Sequence, residues 1–279
     1  MKRILTYLAC GIVAIAAAAQ SKADIAVSYD AHTPSMRDGK TDVKNQYILL
    51  ANAVGSKFYS PMTEYIDSLN STPNGKARLQ EMTTAAYLGG NLDDLPRRDG
   101  KYYVMTSLAD NTVTYYDVVG LDKYLYVETP DEWNWEIGPD TKTILGYECV
   151  LAETDYHGRR WTVWFTPEIP LQAGPWKLGG LPGLILEATA DDGQYRFEAT
   201  GIQSTEKSIT PIYLADDYEK TTRKELLTEQ RTFLDNTLSR LNTQLGGISI
   251  SKVEDEDGNE ISDSLFATRD TVDFIETDY

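Results

Sequence analysis

The sequence predicts a β-rich α+β protein: a curved antiparallel sheet, meander or half-barrel, with one long packed helix and two short N-terminal helices. Three observations carry this. From Lys101 apolar residues recur with period two, in short runs separated by turn signals. From Asp216 or Asp217 to Leu245 the period is helical, with Leu227, Phe233, Leu234, Leu238, Leu241 and Leu245 near one stripe. Between Ser60 and Gly90 lie two shorter helical segments, each with start and stop residues.

In chain order, Ile25, Val27 and Tyr29 alternate with small or polar residues and predict a strand over 24–29. A loop is expected over 31–42 and a second strand over 47–54. Ser60-Pro61 opens a helix reaching about Leu69, because proline suits a first turn whose N–H groups are unpaired anyway. Asn74 is expected to cap a second, which Gly89-Gly90 ends. Further strands are predicted over 101–107, 112–118, 122–129, 133–137, 147–154, 159–166, 183–190, 194–203 and 208–214. Asp192-Gly193 between alternating runs marks a hairpin over Ala188–Phe197. A hairpin over Ile248–Ile261 and a weak last strand over Thr271–Ile275 complete the pattern. With no repeat or clear linker, residues 24–279 read as a single β-rich domain.

Residues 1–23 read as a signal peptide. Lys2 and Arg3 precede an apolar run from Ile4 to Ala19, and Ser21-Lys22-Ala23 resembles a cleavage site, so Asp24 is the expected first mature residue. The run is short and alanine-rich for a membrane span, and no stable membrane insertion is expected. Lipid anchoring at Cys10 is disfavoured, since Tyr7 is a poor start for a lipoprotein site. A periplasmic or secreted location follows. Cleavage would remove three basic residues and deepen the net charge from −17 to −20. Such a chain repels nucleic acid and anionic membrane surfaces. Cys149 would be left alone, so no internal disulfide is possible, and a buried thiol is expected.

The chain's densest punctuation is Gly174-Pro175-Trp176-Lys177-Leu178-Gly179-Gly180-Leu181-Pro182-Gly183-Leu184-Ile185-Leu186. Glycine admits close backbone approach and proline fixes φ, so this is a rigid, turned loop delivering a buried strand. Gly180, Leu181, Pro182, Gly183, Leu184 and Ile185 form the motif after which the GLPGLI family of Bacteroidetes secreted proteins is named. Gly146-Tyr147-Glu148-Cys149, Gly158-Arg159-Arg160, Trp164–Pro170 and Gly174–Lys177 also resemble that family's central block, with looser similarity from about Val27 to Ile275. The resemblance implies a secreted or periplasmic protein with much β structure, and carries over no function.

Chemistry-bearing constellations are sparse. His32 sits in an expected loop and His157 at a turn beside Gly158, which predicts a solvated ring. These two histidines and one thiol offer neither a nucleophile–base pair nor metal-ligand spacing, and no cofactor is expected. The acidic run Glu254–Glu260 fails as a calcium loop: with Gly258 sixth, positions one and twelve are Val253 and Ser264. Glu168 and Glu187 flank the glycine-rich loop, and Glu187 is expected to face solvent or pair with Arg196. All five tryptophans lie between Trp133 and Trp176. Core packing is the common fate of such rings; the alternative is a ligand groove formed by Trp164, Trp176 and Arg160. One of Arg159 and Arg160 is expected to pair with a carboxylate or the acidic C-terminal hairpin.

The functional expectation is a non-catalytic binding or accessory protein of the cell envelope, its partner an envelope protein or a small apolar ligand (lipid or peptide). A structural or interaction protein of the cell surface is the first alternative, and a carboxylate-dependent hydrolase the second.

Overall fold

The computed structural model describes residues 21–35, 41–91, 94–130, 133–209, 212–245, 250–251 and 274–279. Twelve strands form one mostly antiparallel sheet. They are β1 (Ile25–Pro34), β2 (Asp42–Asn52), β3 (Gly55–Tyr59), β4 (Tyr103–Ser107), β5 (Thr112–Val119), β6 (Asp122–Glu128), β7 (Glu136–Ile144), β8 (Tyr147–Tyr156), β9 (Arg159–Thr166), β10 (Leu184–Ala190), β11 (Arg196–Ser204) and β12 (Glu219–Lys220). Their order is β12-β6-β5-β4-β3-β2-β1-β11-β10-β9-β8-β7, with β12 alone parallel, against β6. The sheet is unclosed and ends at β12 and β7.

Local chemistry explains the helices α1 (Pro61–Asn70), α2 (Pro73–Gly89), α3 (Arg223–Asp235) and α4 (Thr237–Gln244). Ser60 caps α1 by accepting from Thr63 N–H, and Pro61 occupies its first turn. Thr72, two residues before the expected Asn74, caps α2. Gly90 ends α2 at φ +68°, the left-handed conformation glycine adopts without a Cβ clash.

The expected single long helix is two. A capping box of Thr222 and Glu225 sets the start, so Asp216 and Asp217 fall in a preceding 3-10 turn. At Asn236 the backbone leaves helical geometry (φ −138°, ψ 39°) and splits α3 from α4. Leu226 and Leu227 bury α3 against the β5–β6 end of the sheet.

The strands over 208–214 and 133–137 also need correction. Residues 208–209 and 212–214 form no strand beyond an isolated bridge between Lys22 and Ser208, and β7 begins at Glu136. The loop expected over 31–42 is strand through Pro34, paired to β2. The 248–261 hairpin and the acidic run lie mostly outside the described residues, as do Cys10 and the leader through Gln20. Phe274 and Ile275 are not strand.

The concave face is filled. Val27, Tyr29, Leu49, Phe58, Val104, Tyr115, Tyr126, Trp161, Val163, Phe165, Trp176 and Phe197 belong to one buried cluster drawn from both halves of the sheet. Tyr47, Phe58, Tyr102, Tyr115 and Tyr126 stack in series across four strands and the entry to β4. A second cluster, with Leu50, Tyr59, Tyr103, Leu125 and Tyr218, covers the opposite face at β2–β6. Aromatics therefore appear on both faces there because both faces are covered by protein.

The glycine-rich loop packs on this cluster and adds Trp176, Leu178, Leu181, Leu184 and Ile185 to it. Leu184 N–H donates to Ile169 C=O at 3.0 Å and Ile185 N–H to Ala173 C=O at 3.0 Å, pinning the loop's exit. Tyr29 Oη, from the sheet's centre, donates to Ile185 C=O at 2.5 Å. Two glycines are required. Gly180 has φ +79°, and a Cβ there would enter the Trp133 ring; a Cβ at Gly183 would run into the backbone carbonyl of Thr166. We therefore expect Gly183→Val to cost about 3 kcal/mol, since a backbone oxygen cannot rotate away. Trp176→Ala should cost about 3–5 kcal/mol. Urea unfolding of both variants beside the parent checks this; two unshifted midpoints would remove the structural role.

Candidate functional site

Trp176 takes a left-handed conformation (φ 52°), uncommon for a bulky residue, between Pro175 and Lys177. A turn bond from Leu178 N–H to Pro175 C=O, 3.1 Å, closes around it. The result sends Trp176 and Lys177 inward together. Trp176 packs on Trp161, Tyr156 and His157 at centroid separations of 5.5, 5.7 and 5.9 Å.

Lys177 is buried with its ammonium fully enclosed. It lies 2.6 Å from Glu128 Oε1 and 2.7 Å from Glu276 Oε1, and donates to Tyr126 Oη at 2.5 Å. Tyr126 Oη in turn donates to Glu276 at 3.4 Å. Arg223, at the start of α3, pairs with both Glu276 and Asp278. An unpaired buried ammonium would be very costly, and these carboxylates remove that cost. Burial pulls the Glu128 carboxyl up, but His157 and Lys177 outweigh it and hold it below its ordinary value. Burial, with Glu276 and Glu128 adding, holds the Tyr126 phenol well above its ordinary value.

His157 is not solvated. Its side chain is 4% exposed, between Glu128 (3.7 Å) and Asp278 (3.6 Å), with neither ring nitrogen in a hydrogen bond. The turn that places it at φ 52° folds the ring beneath residues 274–279. That segment is strapped on by Thr277 N–H to His157 C=O (3.0 Å) and by Arg159 to the carbonyls of Phe274 and Ile275.

His157, Glu276 and Asp278 could offer ligand atoms within 4.8 Å of one another. Glu276 is already held by Lys177 and Arg223, and Asp278 by Arg223. A dication there would have to share its ligands with two fixed cations, and the set is a poor metal centre.

The groove residues are divided. Trp161, Val163 and Phe165 point from β9 into the core with Trp176, whereas Arg160, Thr162 and Trp164 alternate to the other face. Trp164 and Trp176 therefore do not meet, but Trp164 and Arg160 share a face. There Lys142 Nζ lies 4.5 Å from the Trp164 ring centroid and 2.7 and 2.8 Å from the two oxygens of Glu187. Glu187 thus pairs with Lys142; Arg196 pairs with Glu198 beside it. Glu168 accepts from Glu148 N–H at 2.8 Å. Both arginines of the β8–β9 turn are paired, Arg159 with Asp192 and Arg160 with Glu153, at 3.1 Å for the latter. Cys149 is buried, and burial raises its thiol pKa.

Sequence reasoning missed Lys177, Glu128, Glu276 and Arg223. One signal was present: a lysine inside a rigid apolar loop needs a counter-charge wherever that loop is buried. It missed Asp117 as well. This β5 carboxylate faces the core, accepting from Gln230 Nε2 and Val118 N–H, each at 2.7 Å. Burial pushes it up to about 6, with the Val118 N–H, Lys101 and Gln230 pulling the other way.

Compared with known proteins, residues 95–230 match the family model described as N-glycanase peptide, N-terminal domain. No curated protein matches. In fold the chain resembles two structures of PNGF-II, in the P21 and C2 space groups, at 15% and 13% identity and a TM-score of 0.49. Each likeness covers 74% of this chain and 32% of the other, so the chain spans about a third of their length.

Asp117 yields a pH prediction. Its folded pKa, about 6, lies above the unfolded value near 3.9, so the fold favours the protonated carboxyl. The contribution of Asp117 to stability should fall as pH rises from about 4 to about 6 and stay reduced above. Asp117→Asn keeps an acceptor for Gln230 without the charge. We expect it to raise stability by up to about 3 kcal/mol at pH 7.5 and to leave it unchanged near pH 3.5. Unfolding curves across that range check this; equal stability at pH 7.5 would contradict it.

Proposed function

We propose that this chain is an exported, non-catalytic accessory domain that engages glycoproteins or their glycans in the cell envelope. The observation that carries the reading is the match of residues 95–230 to an N-terminal domain model of N-glycanase type. The matched span contains β4 through β11, the glycine-rich loop with Lys177, and the start of α3.

The side chains support a binding role over chemistry. Trp161 and Trp176 are consumed by the core, and the Lys177 ammonium by the carboxylates that tie loop, strand and C-terminal segment together. Glu128 and Glu276 do face one another across Lys177, the pairing a carboxylate hydrolase would need. Glu276 is 1% exposed, however, and a glycosidic bond could reach it only if the strap lifted. Among the described residues no helix is long and apolar enough to cross a membrane.

Export, and kinship with the GLPGLI secreted proteins, form part of the same proposal, resting on the basic start, apolar run and motif of the sequence. Ser21–Ala23 refine it. Ala23 is buried, its N–H donates to Lys207 C=O, and Ile209 N–H donates to Ser21 C=O, both at 2.8 Å. A mature chain keeping these bonds would be cut before Ser21, after the small-residue run ending at Ala19, rather than before Asp24. N-terminal sequencing of the exported chain distinguishes Gln20, the outcome we expect, from Asp24; an intact Met1 would overturn export.

The binding reading is tested with immobilised N-glycosylated ribonuclease against its unglycosylated form. We expect retention on the glycosylated column alone, with no oligosaccharide released. Release of free glycan would make the chain an enzyme, and equal passage through both columns would reject the reading.

A further inference from the structure

We propose that the outer face of β8, β9 and β10 is a carbohydrate-binding platform centred on Trp164, taking a neutral oligosaccharide. This rests on the accessory glycan-binding reading and assigns that reading its site.

The platform follows from register. Trp164 lies between Leu151 on β8 and Glu187 on β10, and Thr162 between Glu153 and Thr189. Outward alternation brings Trp164, Thr162, Thr189, Glu153, Glu187 and Arg160 onto one surface. The helices pack elsewhere, α1 at β2 and α3 at β5 and β6.

The composition selects the occupant. Trp164 is half-buried at the margin of the core, with Leu151 opposite it on β8, and its outer edge meets Lys142 and Glu187. An apolar protein surface or lipid would have to desolvate Glu187, Lys142, Arg160 and Glu153 to reach it. An anionic ligand finds no free cation beside Trp164 among the described residues: Lys142 is held by Glu187 at 2.7 Å, and Arg160 by Glu153 at 3.1 Å, with Glu136 and Asp155 also within 3.7 Å of it. A phosphate or nucleic acid would also meet a chain of net charge −17. A neutral pyranose has the complementary chemistry: a C–H face for the indole and a rim of hydroxyls for paired acids and bases, which donate and accept without losing their own partners.

Lys142 marks the stacking position. Its ammonium lies 4.5 Å from the indole centroid, where a cation is attracted by the ring's negative face. Its side chain is 35% exposed, so it can swing to the rim and expose the ring while still bonded to Glu187. Thr162 Oγ1 donates to Glu153 Oε1 at 3.2 Å, holding the neighbouring acceptor in place. The sequence suggested a groove of Trp164, Trp176 and Arg160; Trp164 and Arg160 share a face, Trp176 is in the core, and Glu187 and Lys142 take its place in the proposed platform.

The test is calorimetric titration of the whole chain with a neutral high-mannose N-glycopeptide, with indole fluorescence read in parallel. Parent protein should bind and shift its emission. Trp164→Ala should weaken binding at least tenfold, and Trp164→Phe should recover part of the loss. Trp164 is half-buried at the core's margin, so the melting temperature of each variant is read in parallel; Glu187→Gln, which leaves the indole intact, gives a second readout if Trp164→Ala misfolds, and should weaken binding severalfold. If the parent binds and neither Trp164→Ala nor Glu187→Gln weakens it, the platform is wrong and the glycan reading stands. If the parent binds no glycopeptide, both fail.

Discussion

One buried ammonium organises the concave side of this protein. Lys177 arrives on the glycine-rich loop, Glu128 at the end of β6 and Glu276 in the C-terminal segment, three parts far apart in sequence. A charge out of water must be met by opposite charge at short range, and satisfying Lys177 fixes where all three lie. Arg223 extends the constraint to α3 by holding Glu276 from its other side. The end of β6, the loop between β9 and β10, the C-terminal segment and the start of α3 are thereby tied together by charge.

The loop that carries Lys177 is built for delivery. Its glycines allow the backbone to pass against Trp133 and the Thr166 carbonyl, and its left-handed Trp176 turns two successive side chains inward. A large ring and a charged stem then share one pocket: Lys177 Nζ lies within 5.6 Å of the Trp176, Tyr115 and Tyr126 ring centroids. Aromatic faces add attraction for the cation where water is excluded. The motif's density of glycine and proline serves positioning, with the chemistry concentrated in Trp176 and Lys177.

The two faces of β9 do different work. Trp161, Val163 and Phe165 complete the core, while Arg160, Thr162 and Trp164 remain in reach of solvent among paired charges. The same strand can stabilise the fold and present a surface because alternation separates the two sets by the thickness of the backbone. A substitution at Trp161 and one at Trp164 therefore probe different properties, three residues apart.

The sequence by itself determined the periodic features. β9 was legible to the residue, the β10–β11 hairpin followed from Asp192-Gly193, and α1 followed from Ser60-Pro61, because each depends on neighbours within a few positions. The long helix was misread as continuous because the break at Asn236 lies within a leucine pattern that persists on both sides. β12 escaped because two residues have no period. What the tertiary structure alone decided was pairing across distance. His157 is buried because residues 274–279 cross over it, a contact spanning more than a hundred positions. Lys177 finds Glu128 and Glu276, and Trp164 parts from Trp176, through strand order and loop direction, which local sequence does not encode. Side-chain type announces that a charge needs a partner, and only the folded backbone chooses which one.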